Sequence, residues 1–320
     1  MAQFRNLQKA VSGRRAGIVL ACVTGVISGF AVFINGYGIR AWAGTADATT
    51  YTTFKNIGAA LVLVAVAVAL TRVRSREGLT VPSSKIQWLG LATVAVLGGA
   101  LAFALFFEGL SRASSVQAGF IHKTLVVWVA ILAVGILREN LRPVHLAAVA
   151  LLIAGQLLLV GGVGDVTFGM GELMILGATL LWSIEVVLAK RLLAGVSSAT
   201  VGVARMAGGA LVLIAYGLLS GGFATVGQVT LSQWGWIALT AIVLAGYVGT
   251  WFAALARAPA IDVTAILVGG AVITALLRGA VGGVVLPSPL GLALVALGSL
   301  IVAAASLLTT ATHRRESVMR

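Results

Sequence analysis

Residues 203–213 read VARMAGGALVL, and residues 53–63 read TFKNIGAALVL. At a constant offset of 150, Lys55 falls on Arg205, Gly58 on Gly208, and Ala60-Leu61-Val62-Leu63 on Ala210-Leu211-Val212-Leu213. The same offset puts Asn35 on Glu185 and Arg40 on Lys190. Further along, an offset of 145 sets Leu110-Ser111-Arg112-Ala113 on Leu255-Ala256-Arg257-Ala258, and Gln117 on Asp262. Apolar runs of low complexity match one another by chance. Basic residues inside such runs are scarce, so the coincidences Lys55/Arg205 and Arg112/Arg257 carry the comparison. They predict two related halves, residues 1–165 and 166–320.

The composition sets the medium. Of 320 residues, 60% are hydrophobic and only 10% charged. A soluble domain is roughly 45–50% apolar and about 25% charged. A chain this apolar cannot cover its surface with polar groups, so lipid is its main solvent. Apolar stretches fall at 16–39, 48–71, 86–108, 113–137, 143–163, 168–191, 197–219, 231–256, 261–285 and 289–311, each near the 20 residues or so that span a bilayer. Pro82, Pro143, Pro259, Pro287 and Pro289 all lie between or at the edges of these stretches, where the missing N–H costs no helical hydrogen bond. The expected fold is an all-α integral membrane protein with ten transmembrane helices. Five crossings per half is an odd number, so the halves would face opposite ways across the bilayer as inverted repeats.

Orientation follows from Lys and Arg in short loops. With both termini cytoplasmic, the inside segments hold sixteen basic residues and the outside segments two, Arg40 and Arg112. A missed or invented crossing would reverse this alternation downstream. Arg5, Lys9, Arg14 and Arg15 ahead of an apolar run, with Ala41-Trp42-Ala43 behind it, also fit a cleaved signal peptide. However, that run is about twice the usual signal core of roughly 7–15 residues, which favours a retained helix.

The net charge of +13 would point to nucleic acid in a soluble protein; here the cations lie between apolar stretches and set topology instead, so no nucleic-acid partner is expected. The lone Cys22 makes no intrachain disulfide, and His122, His145 and His313 fit no metal spacing. No GxxxxGK-Ser/Thr loop is present, so ATP-driven pumping by this chain is not expected, and no metal or cofactor is called for.

Two segments carry a family resemblance. GELMILGATLLWSIEVVLAKRLL from Gly171 resembles the opening helix of an EamA-type repeat of the drug/metabolite transporter superfamily. FFEGLSRASSVQAGF from Phe106, followed by LRENLRPVHLAAVALLIAGQLLLVGG, resembles the end of such a repeat. The chain departs from the pattern at Arg138, where a Gly usually precedes the Glu, and in the second half, where GGVVLPSPLGLALVALGSLIV lacks that Glu. The resemblance implies ten helices, a central solute pathway, and export or exchange of metabolites at the bacterial plasma membrane.

Lys or Arg at mid-bilayer costs about 2.5–3.5 kcal/mol on insertion scales, so such residues persist chiefly where they line water, bind a partner or serve a function. Lys123 is expected near the middle of the fourth stretch, Lys55 and Arg278 in the outer thirds of the second and ninth, and Arg205 in the inner third of the seventh. Structural pairing or snorkelling is the alternative for each. Together they predict a cavity suited to an anionic solute, with Glu185 or His122 as groups that exchange a proton if protons are the coupling ion. Asn35 and Gln156 can bond solute or a neighbouring helix, and Trp182 can wall a pocket. Trp42, Trp88, Trp234 and Trp236 are expected to form the interfacial belt. The chain reads as a secondary transporter, an exporter of amino acids or related metabolites and not an enzyme, alone or as a homodimer. A membrane-embedded enzyme or passive channel is the alternative, but no catalytic constellation and no lining repeated around a pore is visible.

Overall fold

The computed structural model describes residues 2–73, 78–113, 115–160, 169–282 and 288–318; Arg74, Arg76, Pro287 and Arg320 lie outside them. These residues are helical throughout their regular elements, as lipid demands of any segment that must satisfy its own backbone. Among the described residues nine helices are long and apolar enough to cross a membrane. They are α1 (Gly13–Trp42, the apolar part of Ala2–Trp42), α2 (Ala48–Arg72), α3 (Lys85–Arg112), α4 (Ala118–Leu137), α6 (Met170–Leu192), α7 (Ser198–Ser220), α8 (Leu231–Arg257), α9 (Ala260–Val281) and α10 (Pro289–Leu308, continuing to Val318). Between the fourth and fifth of them lies a shorter apolar helix, α5 (Pro143–Leu159).

Local chemistry fixes the helix starts. Asp47 accepts from Thr50 N at 2.6 Å to cap α2, and Ser197 Oγ accepts from Thr200 N at 3.2 Å to cap α7. These caps are 150 residues apart. So are the ends of α1 and α6, at Trp42 and Leu192. The ends of α3 and α8, at Arg112 and Arg257, are 145 apart. So are two interruptions: α4 breaks at Thr124 (ψ −9°) and α9 at Gly269 (ψ −22°). Both offsets match those of the sequence comparison.

Helix packing follows from small residues. A Cβ on Gly29 would lie 2.6 Å from Gly270 O, and one on Gly270 would lie 2.6 Å from Gly25 O. The Gly25/Gly29 pair is therefore the face on which α1 meets the break in α9. Elsewhere α1 packs along α8, α5 along α10, and α3 along α6. Leu61 and Leu211, equivalent at offset 150, are 66% and 68% exposed. Large exposed apolar side chains of this kind recur around the bundle and present a face for lipid.

One expectation is corrected. Trp42 is not a belt residue but is buried, with its indole donating to Gln233 O at 3.1 Å and its ring packed on Tyr51, Phe54 and Trp234. Trp88, by contrast, is well exposed. A Trp near a helix end is drawn inward wherever a buried carbonyl offers its N–H a partner.

Candidate functional site

Two adjoining cavities lie at the centre of the bundle, and they share Val32, Asn35, Phe106, Phe107 and His122 in their walls. The first, called the inner lobe, is about 150 Å³ and is lined by Lys55, Trp182, Glu185 and Arg205. The second, called the outer lobe, is about 350 Å³ and is lined by Lys123, Gln156 and Arg278. The nine residues singled out in the sequence thus converge on one pair of lobes from α1, α2, α4, α5, α6, α7 and α9.

A widened turn in α3 builds the inner lobe. Residues Ala95–Leu101 form a π-helical segment, which loosens the regular backbone ladder. Gly98 O accepts from Trp182 Nε1 at 3.1 Å, and Gly99 O accepts from Asn56 Nδ2 at 3.2 Å. Gly98 also makes room for the Glu185 carboxylate, which a Cβ there would strike. A second π-helical segment, Ala204–Gly208 in α7, carries Arg205.

Glu185 and Arg205 form a bidentate pair: Arg205 Nε donates to Oε1 at 2.5 Å and Nη2 to Oε2 at 3.1 Å. Both are buried, and the pair geometry satisfies two donors and both oxygens at once. Lys55 has different surroundings. It is 2% exposed, and its Nζ lies 4.1 Å from the Phe107 ring centre, 5.7 Å from that of Phe103 and 5.5 Å from that of Tyr51. Its hydrogen-bond partner is Asn35 Oδ1 at 3.4 Å, an oxygen that also lies 3.2 Å from the Tyr51 hydroxyl. Aromatic faces and a neutral amide hold this ammonium group, with no carboxylate among the described residues within 4.0 Å. Asn35 therefore acts on the neighbouring lysine, and its sequence equivalent Glu185 acts on the neighbouring arginine.

In the outer lobe Lys123 is buried and ends the first part of the broken helix, one residue before Thr124. It is the ninth residue of the helical run from Ser115 to Leu137, and the break at Thr124 follows it directly. The break shortens the stretch of continuous helix on which the sequence placement relied. Arg278 enters the same lobe from the far end of α9. His122 packs its ring on Trp182 at 4.9 Å and on Phe106 at 5.2 Å.

Sequence reading missed a second cluster, at the end of the bundle where Arg138, Arg142, Lys190 and Arg191 gather. Asp262, with its side chain 1% exposed, accepts from Arg14 Nη2 at 3.0 Å and from Ser306 Oγ at 2.5 Å, and His145 Nε2 lies 3.1 Å from its other oxygen. Beside it, Glu139 accepts from Ala260 N at 2.8 Å and Ile261 N at 3.1 Å, closing the first turn of α9. Lys190 Nζ donates to Leu255 O at 2.5 Å and Ala258 O at 2.7 Å, closing the last turn of α8. These contacts tie α1, α5, α6, α8, α9 and α10 together at this basic end. The signal was an isolated Asp in an apolar stretch, a residue that lipid tolerates only with partners. Among the described residues no three His, Cys, Asp or Glu side chains converge to hold a metal.

Residues 15–161 match the EamA-like transporter family. An uncharacterized transporter of Archaeoglobus fulgidus is 29% identical over 151 residues, 46% of this chain and 51% of the relative; the chain thus spans about half the length of the curated relative it matches. A protein of known crystal structure is similar over 91% of this chain and 98% of its own, with a TM-score of 0.66 at 19% identity, which shows a shared fold. Residues 15–161, a little under half of the chain, are thus similar to the EamA-like transporter family of the drug/metabolite transporter superfamily, and the chain is a multi-pass membrane protein.

Proposed function

We propose that the protein is a secondary transporter that exports a small metabolite bearing an anionic group, such as an amino acid or a related acid, across the bacterial plasma membrane by alternating access. The observation that carries this is the joined cavity itself: four basic side chains and one carboxylate face it from five helices of both halves. The working unit is ten crossings, with α5 as the tenth, arranged as inverted repeats over residues 1–165 and 166–320. The coincident caps, ends and breaks at offsets 150 and 145 support that arrangement. Both termini and the basic end then face the cytoplasm. The Asp262, Glu139 and Lys190 contacts close the cytoplasmic side while the lobes lie toward the other. Exchanging the two shapes between related halves carries the solute across.

Protons are a coherent coupling ion. Protonation of Glu185 ends its bidentate pair and frees Arg205 for the solute anion, so proton and anion binding reinforce each other and the two would move together. An enzyme would need a catalytic constellation that the lobes lack among the described residues, and a channel would leave both ends open.

The test is initial uptake of labelled benzoate and phenylalanine into proteoliposomes as concentration rises. A transporter saturates, a channel stays linear, and an enzyme returns a chemically altered product. Lys123→Ala is expected to abolish flux with normal membrane expression; normal flux in that variant removes Lys123 from the site.

A further inference from the structure

The lobes are out of charge balance, and the imbalance is distributed in space. Lys55 and Arg205 face the inner lobe and Lys123 and Arg278 the outer, against the single carboxylate Glu185. Glu185 is committed to Arg205 through both oxygens. Glu108, on the helix that supplies the aromatic wall, is taken at the surface by Arg112. Among the described residues no carboxylate lies within 4.0 Å of Lys55, Lys123 or Arg278. Three cations in two places therefore lack an opposite charge in a medium that strongly penalises them.

A second observation marks the outer lobe. Gln156 is 5% exposed, lines that lobe, and its Nε2 has no hydrogen-bond partner; nor has the buried Nδ1 of His122, which borders both lobes. Buried amide donors are almost always paired, so an unpaired one on a cavity wall is a donor awaiting an acceptor. The wall common to both lobes carries Val32, Phe106 and Phe107 beside the polar Asn35 and His122.

We propose that the two lobes hold one solute with two separated acidic groups. One group meets Lys55 in the inner lobe. The other meets Lys123, Arg278 and the Gln156 amide in the outer lobe, and an apolar or aromatic frame lies between them against Phe106 and Phe107. This rests on the transport function proposed above and narrows it. A zwitterionic amino acid brings no net charge to the excess cations. A monocarboxylate leaves one lobe's cations, and Gln156, without a partner. A phosphate monoester concentrates its charge in one lobe.

The experiment compares terephthalate with benzoate, which differ by one carboxylate on the same ring, by direct binding to the purified full-length protein and by uptake into proteoliposomes. Phenylalanine and methyl phosphate are run alongside. Terephthalate is expected to bind at least tenfold tighter than benzoate. Gln156→Leu and Arg278→Gln should each bring terephthalate down to the level of benzoate, erasing the preference for the diacid. Gln156→Glu, which keeps the side-chain volume and adds a like charge, should weaken terephthalate further still. Equal affinity for the two acids, preference for phenylalanine or methyl phosphate, or an equal loss of both acids in Gln156→Leu overturns the two-anion site. Saturable benzoate flux without terephthalate preference overturns this inference alone. Absence of saturable flux for every compound overturns the transport function as well.

Discussion

Removing one side of the Glu185–Arg205 pair should cost more than removing both. Both side chains are buried, at 3% and 7% exposure, and they meet through two hydrogen bonds. Glu185→Gln keeps the volume but leaves the Arg205 charge in a lobe that already holds Lys55. Arg205→Met leaves the carboxylate alone. Breaking a buried ion pair from one side costs about 3–5 kcal/mol, whereas replacing both charges with neutral groups of similar volume is often close to neutral. Hydrogen bonds between neutral side chains in membrane proteins average only about 0.6 kcal/mol, so a coupling of about 3 kcal/mol would report the charge pair itself. At about 2 °C per kcal/mol for a chain of this length, each single variant should melt about 6–10 °C below the parent. The double variant should recover at least half of that loss. Thermal unfolding of the detergent-solubilised protein, followed by tryptophan fluorescence, measures all four corners of the cycle. Single variants within about 2 °C of the parent, or a double variant at the sum of the two, would refute the pair as a buried and mutually dependent unit.

Three further predictions concern other parts of the fold. Gly98→Ala places a methyl group on the Glu185 carboxylate and should cost about 1–3 kcal/mol by overpacking, while Gly235→Ala, which meets nothing within 4 Å, should be neutral or stabilising; melting temperatures compare the two, and equal effects would contradict the close approach. Asp262→Asn should loosen the basic end by about 2 kcal/mol, some thirtyfold in the closed-to-open ratio, through its weakened charge-assisted bonds. The readout is faster labelling of Thr264→Cys, a position now 1% exposed, by an impermeant maleimide in a Cys22→Ser background; unchanged labelling would remove the cluster from that closure. If the halves exchange shapes, the exposed Arg40 takes at the opposite end the part of its equivalent Lys190, and bonds Leu110 O and Ala113 O. Bridging of Arg40→Cys to Ala113→Cys by a bifunctional thiol reagent should then rise on adding solute, and a yield indifferent to solute would count against the exchange.

The helical architecture was legible because lipid leaves the backbone no choice. A run of apolar residues bounded by Pro, Gly and basic residues is a helix, and the offsets of 150 and 145 found between sequence segments reappear in the helix ends. The central residues were legible for the same reason: Lys55, Lys123, Arg205, Glu185 and Arg278 are too costly in lipid to be there idly. What the sequence hid was pairing. Nothing in the spacing of Glu185 and Arg205, on separate helices twenty positions apart, distinguishes a bound pair from two free groups. The break at Thr124 was equally invisible, because Thr is an ordinary residue inside an apolar span; it leaves Lys123 at the end of a helical segment and not inside a continuous one. The Asp262 cluster joins residues from 14 to 306, a reach that no local pattern encodes, and Trp42 was misplaced because its partner Gln233 is as remote.

A solute site that faces one side at a time makes a demand that no channel or enzyme meets: labelled solute must be driven uphill by the gradient of its unlabelled counterpart. Vesicles containing the protein are loaded with unlabelled terephthalate or benzoate and diluted into a trace of the same labelled acid. The label should accumulate transiently above its equilibrium level and then decline, and Lys55→Met, reconstituted to the same density, should show no such peak. Label that merely equilibrates, at the rate of protein-free vesicles or equally in Lys55→Met, would contradict transport through the lobes that Lys55 faces.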